Sequence, residues 1–364
     1  MLYVHIPYCH SKCAYCDFYS TPSAATMERT VDALCAEYSM RAAEIAERHR
    51  TIYIGGGTPS VLPQDLLRRV VANLPAVPGE FTIEANPEDV SPEAVSMWRE
   101  IGINRVSMGV QSFVDTELAA VRRRHSAADA IRAVEVLRNG GVCNFSLDLI
   151  YGLPGQDMRS WRYSLDTLLR LRPTHFSAYI LSYEPRTLLT SMVKAGKLVP
   201  ASDELLLDMY ACLCSAAAAH GYEHYEISNF ALPGFRAVHN SGYWNGTPYI
   251  GLGPSAHSFD GSVRRFNPAD IRLYLAKIES GAVAYEVDEE DEDNRFNDSL
   301  ITSLRTAAGL PLDTIGISRR DILLSDARKH LLDGSLILTS DRRLVIPEAW
   351  WPMSDAILRD LVQV

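Results

Sequence analysis

Residues 3–18 read Tyr3-Val4-His5-Ile6-Pro7-Tyr8-Cys9-His10-Ser11-Lys12-Cys13-Ala14-Tyr15-Cys16-Asp17-Phe18. A short apolar run, Leu2–Ile6, reads as a buried strand and leads into three of the seven cysteines, separated by three and then two residues. That spacing lets one loop bring three thiolates to a common point. A cuboidal iron–sulfur cluster takes one cysteine per iron, so three cysteines leave one iron open. An open iron can chelate a small molecule through an amine and a carboxylate. Zinc is the rival occupant. Structural zinc closes with four protein ligands, and with no second cysteine pair following, His5 or His10 would have to complete a Cys₃His set. A disulfide is disfavoured by the count and by the expected compartment.

Working outward, β-rich runs alternate with helix-favouring ones. A helix-favouring stretch covers about 23–48, and Thr51–Ile54 is a second strand ending in Gly55-Gly56-Gly57-Thr58-Pro59. A helix over about 63–74 precedes a third strand, Glu80–Ala85. Ser91 and Pro92 open the next helix and Gly102 closes it, before a fourth strand, Arg105–Gly109. Ser126 with Asp129 forms a capping box for a helix, and a fifth strand, Cys143–Ile150, holds Asp148. Met158, Trp161, Leu165 and Leu168 stripe another helix, and Thr174–Leu181 is a sixth strand. Strand then helix six times over predicts a parallel sheet curved toward a barrel. The cysteines, the triple glycine, Glu84, Gln111, Asp148 and Ser182 all fall at strand carboxyl ends, the face on which parallel barrels build their sites.

The chain of 364 residues is long enough for a large domain and a smaller one, and 47% apolar with 22% charged residues is ordinary for a globular protein. No run reaches a membrane span and no signal peptide opens the chain, which predicts a reducing cytoplasm. Cys35, Cys143, Cys212 and Cys214 lack a framework spacing and read as buried small hydrophobes. Seven acidic residues between Glu286 and Asp293 carry most of the net charge of −10 and read as a solvated linker, so the balance gives no support for nucleic-acid binding. The tail from about 294 reads as two helices, strands Leu336–Thr339 and Leu344–Pro347 around a turn, and a final helix. That is a winged-helix-like pattern, whose mixed charge favours packing on the barrel over DNA binding.

Gly55–Thr58 lacks the Gly-Lys-Ser/Thr of a nucleotide-triphosphate loop, and three bare residues instead let backbone approach a ligand. Glu84, Gln111 and Asp148 suit ribose hydroxyls or an amine. His239, followed by Tyr243 and Trp244, is either a haem-iron ligand with packing rings or an ordinary loop histidine; His257 is equally ambiguous.

The C-x-x-x-C-x-x-C motif with Tyr15 before its last cysteine resembles the radical S-adenosylmethionine (SAM) family. Gly55–Ser60, Gly109–Phe113, Leu147–Gln156 and Gly251–Ser258 are similar to the oxygen-independent coproporphyrinogen III oxidase group, over essentially the full length. Phe18 stands where the oxidases carry a further cysteine, Cys9 lies close to the start, and His239-Asn240-x-x-Tyr243-Trp244 resembles the haem-chaperone branch. The resemblance implies a partial (β/α)6 radical-SAM barrel, α/β in class, over 1–235. Residues 236–290 would close the core and end in the acidic linker, and 291–364 would form the winged-helix-like module. It implies a [4Fe–4S] cluster on Cys9, Cys13 and Cys16. It implies SAM contacts at Tyr3, Tyr15, Gly56, Gly57, Thr58, Glu84, Gln111, Arg123, Asp148 and Ser182, with Arg122 and Arg124 flanking Arg123, and a haem contact at His239. The implied role is haem delivery to membrane-bound respiratory apoproteins, in the cytoplasm or at the membrane periphery, with a haem donor and a second copy of the chain as further partners. The alternative is oxidative decarboxylation of coproporphyrinogen III itself.

Overall fold

The computed structural model describes residues 1–44, 50–77, 79–289 and 291–363. Its first half alternates β1 (Leu2–Ile6), α1 (Met27–Arg41), β2 (Ile52–Gly56), α2 (Gln64–Ala72), β3 (Phe81–Ala85), α3 (Pro92–Glu100) and β4 (Arg105–Gln111). It continues with α4 (Asp115–Ala120), α5 (Ala127–Asn139), β5 (Phe145–Tyr151), α6 (Met158–Leu171) and β6 (His175–Ile180). The six strands lie side by side in chain order and all run parallel. Local chemistry explains the helix starts: the Ser91 side chain accepts from Ala94 N–H, and Ser126 with Asp129 closes the expected capping box. The expected first helix ends at Arg41, and its continuation over 45–48 lies outside the described residues.

After α7 (Leu188–Lys194) and α8 (Asp203–Ala219), the chain extends this sheet at both edges. The hairpin of β7 (Glu223–Glu226) and β8 (Asn229–Ala231) joins antiparallel beyond β6. Then, after α9 (Val238–Trp244), β9 (Ile250–Leu252) joins parallel beside β1. The result is a nine-stranded partial barrel, and these three short strands are absent from the sequence reading. Their segments are three or four residues long and carry no alternation to betray them.

Alternation decides which face goes where. Val4, Ile54, Ile83, Val106, Leu147 and Phe176 point outward and pack against Leu34, Leu67, Trp98, Leu137 and Trp161 of the surrounding helices. The intervening residues, Tyr3, Tyr53, Glu84, Ser107, Asp148 and Ser177, make the inner face polar. Helix α1 is tied to the glycine-rich segment by a buried network. Glu37 accepts from Gly253 N–H at 2.8 Å, Tyr274 Oη at 2.8 Å and Asn267 Nδ2 at 2.8 Å, while Arg41 donates to Gly251 O at 2.9 Å.

A second sheet, β10 (His257–Phe259), β11 (Arg264–Phe266) and β12 (Glu286–Asp288), follows, with α10 (Ile271–Glu279) packed on α1. This corrects the linker reading of the acidic run. Its side chains are exposed, but Glu286–Asp288 is an edge strand and Asp291 caps α11 (Glu292–Leu304); Glu290 lies outside the described residues. The tail adds β13 (Leu310–Pro311), α12 (Ile317–Asp326), α13 (Arg328–Asp333), β14 (Ile337–Leu338), β15 (Arg343–Val345) and α14 (Ser354–Leu361). The strands form a small antiparallel sheet in the order β13-β15-β14, and the tail's apolar side chains continue the barrel's core. The cysteine reading is corrected as well. Cys143 is exposed, because Val142 and Phe145 on either side take the core positions, and Cys35, Cys212 and Cys214 are half-buried.

Glu37→Ala strips the carboxylate from three buried donors and from Arg41 at once. It is expected to lower unfolding stability by about 3–5 kcal/mol in urea titrations.

Candidate functional site

The cysteine loop leaves the carboxyl end of β1 and is stapled along its length. Cys9 N–H donates to Thr21 O at 3.1 Å, Ala14 N–H to Val121 O at 3.1 Å, and Leu189 N–H to Ala14 O at 3.0 Å. All three cysteines are free thiols, with Cys9 buried and Cys13 and Cys16 half-buried. Burial raises the pKa of Cys9 and of Cys16. The triple glycine lies directly against this loop. Gly57 N–H donates to Ile6 O at 2.8 Å, and a Cβ on Gly57 would stand 2.4 Å from Tyr8 O. Gly56 has φ +117°, and a Cβ there would strike the His5 ring at 2.8 Å.

The remaining expected SAM contacts fall around this mouth. Arg123, with exposed neighbours Arg122 and Arg124, donates from Nη1 to Cys13 Sγ at 3.5 Å and from Nη2 to Gly109 O at 2.5 Å and Asn86 Oδ1 at 2.7 Å. Asn86 Nδ2 also reaches Thr58 Oγ1 at 3.3 Å. Gln111 is held at φ +68° by an irregularity in the β4–β5 pairing. Tyr15 sits half-buried beside Ala14 and Val121, and burial raises its phenol's pKa. Ser182 is exposed just past β6. Glu84 accepts from Tyr53 Oη at 2.8 Å and from Gly56 N–H at 3.1 Å, and burial pushes its carboxyl up to about 7. Asp148 accepts from Ser177 at 2.8 Å, Ser146 at 3.3 Å and Ser107 at 3.4 Å, and burial raises it as well. Tyr3 shares a hydrogen bond of 3.1 Å with His5 Nδ1. Tyr53, Asn86 and the three serines went unnoticed in the sequence, and His5 was weighed there only as a zinc ligand. The signal that finds them is the two-residue phase they share with Tyr3, Glu84 and Asp148.

The donor set fits a cluster better than a single zinc ion. His5 Nε2 is bonded to Tyr19 O at 3.0 Å and His10 Nε2 to Asp89 at 3.0 Å, so neither is turned to complete a Cys₃His set. Among the described residues, the one group of three potential ligands whose atoms lie within 4.8 Å of one another is elsewhere, at Cys214, His224 and Glu348.

His239 lies at the other end of the strands. Its Nδ1 bonds Thr51 Oγ1 at 2.9 Å, just before β2, and its Nε2 bonds Tyr243 Oη at 3.0 Å. Glu80, just before β3, receives the first amides of α9, Val238 N–H at 2.8 Å and His239 N–H at 3.2 Å, and faces buried Arg105. Helix α9 therefore plugs the barrel's amino end. With both ring nitrogens engaged, 1% exposure, and burial pushing its pKa down to about 3, His239 is a neutral interior group here. His257 is exposed on β10.

A model of the radical SAM superfamily matches residues 3–168. The chain is 35% identical to the haem chaperone HemW of Mycobacterium tuberculosis, over 99% of this chain and 94% of the relative. It is 35% identical to HemW of Bacillus subtilis over 85% and 84%. The chain belongs to the HemW-type radical SAM family. A solved structure of coproporphyrinogen III oxidase (HemN) from Escherichia coli superimposes with a TM-score of 0.83 at 23% identity, over 100% of this chain and 89% of that one, so the two share a fold. Among the described residues no helix is long and apolar enough to cross a membrane.

An unfolded histidine titrates near pH 6.5, and folded His239 near 3, so the unfolded state binds the proton first as pH falls. Its contribution to stability is complete above about pH 6.5 and is lost progressively toward pH 3. Urea unfolding at pH 6.5 and 5 should show wild type losing about 2 kcal/mol more than His239→Asn over that step.

Proposed function

We propose that the chain binds a [4Fe–4S] cluster on Cys9, Cys13 and Cys16 with SAM beside it, binds haem, and hands haem to respiratory apoproteins. When reduced, such a cluster supplies an electron to bound SAM. The chain's own residues would orient that ligand. Gly56 and Gly57 offer bare backbone, Glu84 and Asp148 offer carboxylates already braced by Tyr53 and three serines, and Arg123 keeps a cation against Cys13.

The observation carrying the haem assignment is a groove of about 850 Å³ at the amino end of the barrel, between α9, the β10–β11 hairpin and α11. Tyr243, Trp244, Tyr249 and Phe259 line it, with Arg236 and Arg343 at hand. A porphyrin is a flat apolar disc with two propionates, and rings with guanidinium groups match it on both counts. Trp244 Nε1 is buried there with no protein partner, a donor aimed at something the chain does not provide. In this site Tyr243 meets the haem directly, and His239 acts through their hydrogen bond. The groove and the cysteine loop occupy opposite ends of the strands. A haem held in the groove is cargo, remote from chemistry at the mouth, which favours the chaperone over the decarboxylase. Delivery would take place in the cytoplasm or at the membrane periphery, with a haem donor and a second copy of the chain as further candidate partners.

The test is an anaerobic haem titration of the cluster-loaded protein, followed at the Soret band. Saturable binding is expected, weakened roughly tenfold or more by Trp244→Ala, since one aromatic contact is worth about 0.5–1.5 kcal/mol on top of the apolar area it buries. No saturable binding, or conversion of coproporphyrinogen III to protoporphyrinogen with SAM and reductant, would sink the reading.

A further inference from the structure

Away from both ends of the barrel, three side chains from three separate elements converge: Cys214 of α8, His224 of β7 and Glu348 just past β15. His224 Nδ1 lies 3.8 Å from Cys214 Sγ and 2.6 Å from Glu348 Oε1. The imidazole is locked, stacked on Phe230 with centroids 3.9 Å apart and met edge-on by Trp351 at 4.3 Å. A cavity of about 370 Å³ opens on the three groups, lined otherwise mostly by apolar side chains such as Ala217, Val345 and Ile346.

A cysteine, a histidine and a carboxylate also invite a nucleophile reading, and the geometry rejects it. An activated cysteine needs the base on one ring nitrogen and the orienting acid on the other. Here the thiol and the carboxylate face the same nitrogen. Three different donors around one point is the arrangement of a coordination site.

We infer that Cys214, His224 and Glu348 form a binding site for zinc, closed by a fourth ligand from the cavity, which clamps the C-terminal segment onto the barrel. Sulfur, imidazole nitrogen and carboxylate oxygen together select zinc over magnesium or calcium. Tetrahedral zinc sets its ligand atoms roughly 3.3–3.7 Å apart. The thiol–imidazole distance is close to that already, the half-exposed Glu348 has to draw back from His224 by about 0.7 Å, and all three ligand atoms lie within 4.8 Å of one another. Beyond these three the cavity is lined by no further thiol, imidazole or carboxylate, so water supplies the fourth ligand, and the metal's role is to tie three segments together. The clamp reinforces an existing seam, where Tyr210 Oη donates to Glu348 O at 3.1 Å, Ile227 N–H to Arg305 O at 2.9 Å and Ala307 N–H to Tyr225 O at 3.1 Å.

The experiment uses the full-length, cluster-loaded protein, titrated anaerobically with Zn²⁺ against a chromophoric chelator and examined at the zinc absorption edge. One zinc per chain is expected, with a single sulfur neighbour at about 2.3 Å and nitrogen or oxygen neighbours at about 2.0 Å. Cys214→Ser and Glu348→Gln should each weaken zinc binding by roughly tenfold or more and leave iron and sulfide content unchanged. If Cys214→Ser does not accumulate, Glu348→Gln carries the test, because its side chain is half-exposed. Equal zinc binding by wild type and Glu348→Gln overturns the proposal. So does a zinc-edge spectrum with three sulfurs, which would place the metal on the cysteine loop.

Discussion

The barrel's inner face carries charge, and in a space walled by strands each charge has to be answered by a neighbouring strand. Asp148 on β5 is held by serines on β4, β5 and β6, Glu84 on β3 by a phenol and an amide of β2, and Glu80 by the start of α9 and by Arg105 of β4. An unanswered buried carboxylate costs several kcal/mol or gives up its charge. Glu84, with its carboxyl near 7, is already at that margin. Hydrophobic packing on the outer face is non-directional and fixes only that the sheet is covered. The inner hydrogen bonds are directional and fix how neighbouring strands sit.

This polar interior is closed differently at its two ends. At the carboxyl end it is bounded by glycine backbone and the cysteine loop, where Gly57 can tolerate no side chain against Tyr8. At the amino end α9 caps the interior with Glu80 accepting its first amides, a carboxylate at a helix N-terminus, which is the favourable orientation for the helix dipole. One residue motif, His239 to Trp244, thereby serves two surfaces. His239 faces inward as part of the plug, while Tyr243 and Trp244 face the groove. A ligand settling on the rings would press on the same short helix that seals the barrel, which gives the groove a physical connection to the interior.

The tail is joined to the barrel through the β7–β8 hairpin more than through the acidic run. Its backbone bonds to Tyr225 and Ile227, the Glu348–His224 contact and the Trp351 ring all land on that hairpin or beside it. The hairpin in turn extends the main sheet beyond β6. A change in the tail therefore reaches the barrel largely through this short, polar, aromatic ribbon, with Tyr210 of α8 beside it.

How much of this was legible follows from the range of the forces. Six strands, their order and the carboxyl-end placement of Cys9–Cys16, Gly55–Gly57, Glu84, Gln111 and Asp148 were readable, because two-residue alternation, helix caps and glycine runs are local in sequence. The short strands β7, β8 and β9 were not, since segments of three or four residues carry no periodicity and pair only because a sheet edge is waiting for them. The burial of His239 was equally hidden. The same His-x-x-x-Tyr spacing suits an open iron ligand or an interior plug, and the choice depends on Thr51 and Glu80, more than 150 residues away. Cys214, His224 and Glu348 are likewise unremarkable in the chain, the last two lying 124 positions apart. By itself the sequence determined the repeating unit, the cysteine loop and the family. Only the tertiary structure decided which polar groups meet, because hydrogen bonds and ligand sets form between residues that folding, not sequence, makes neighbours.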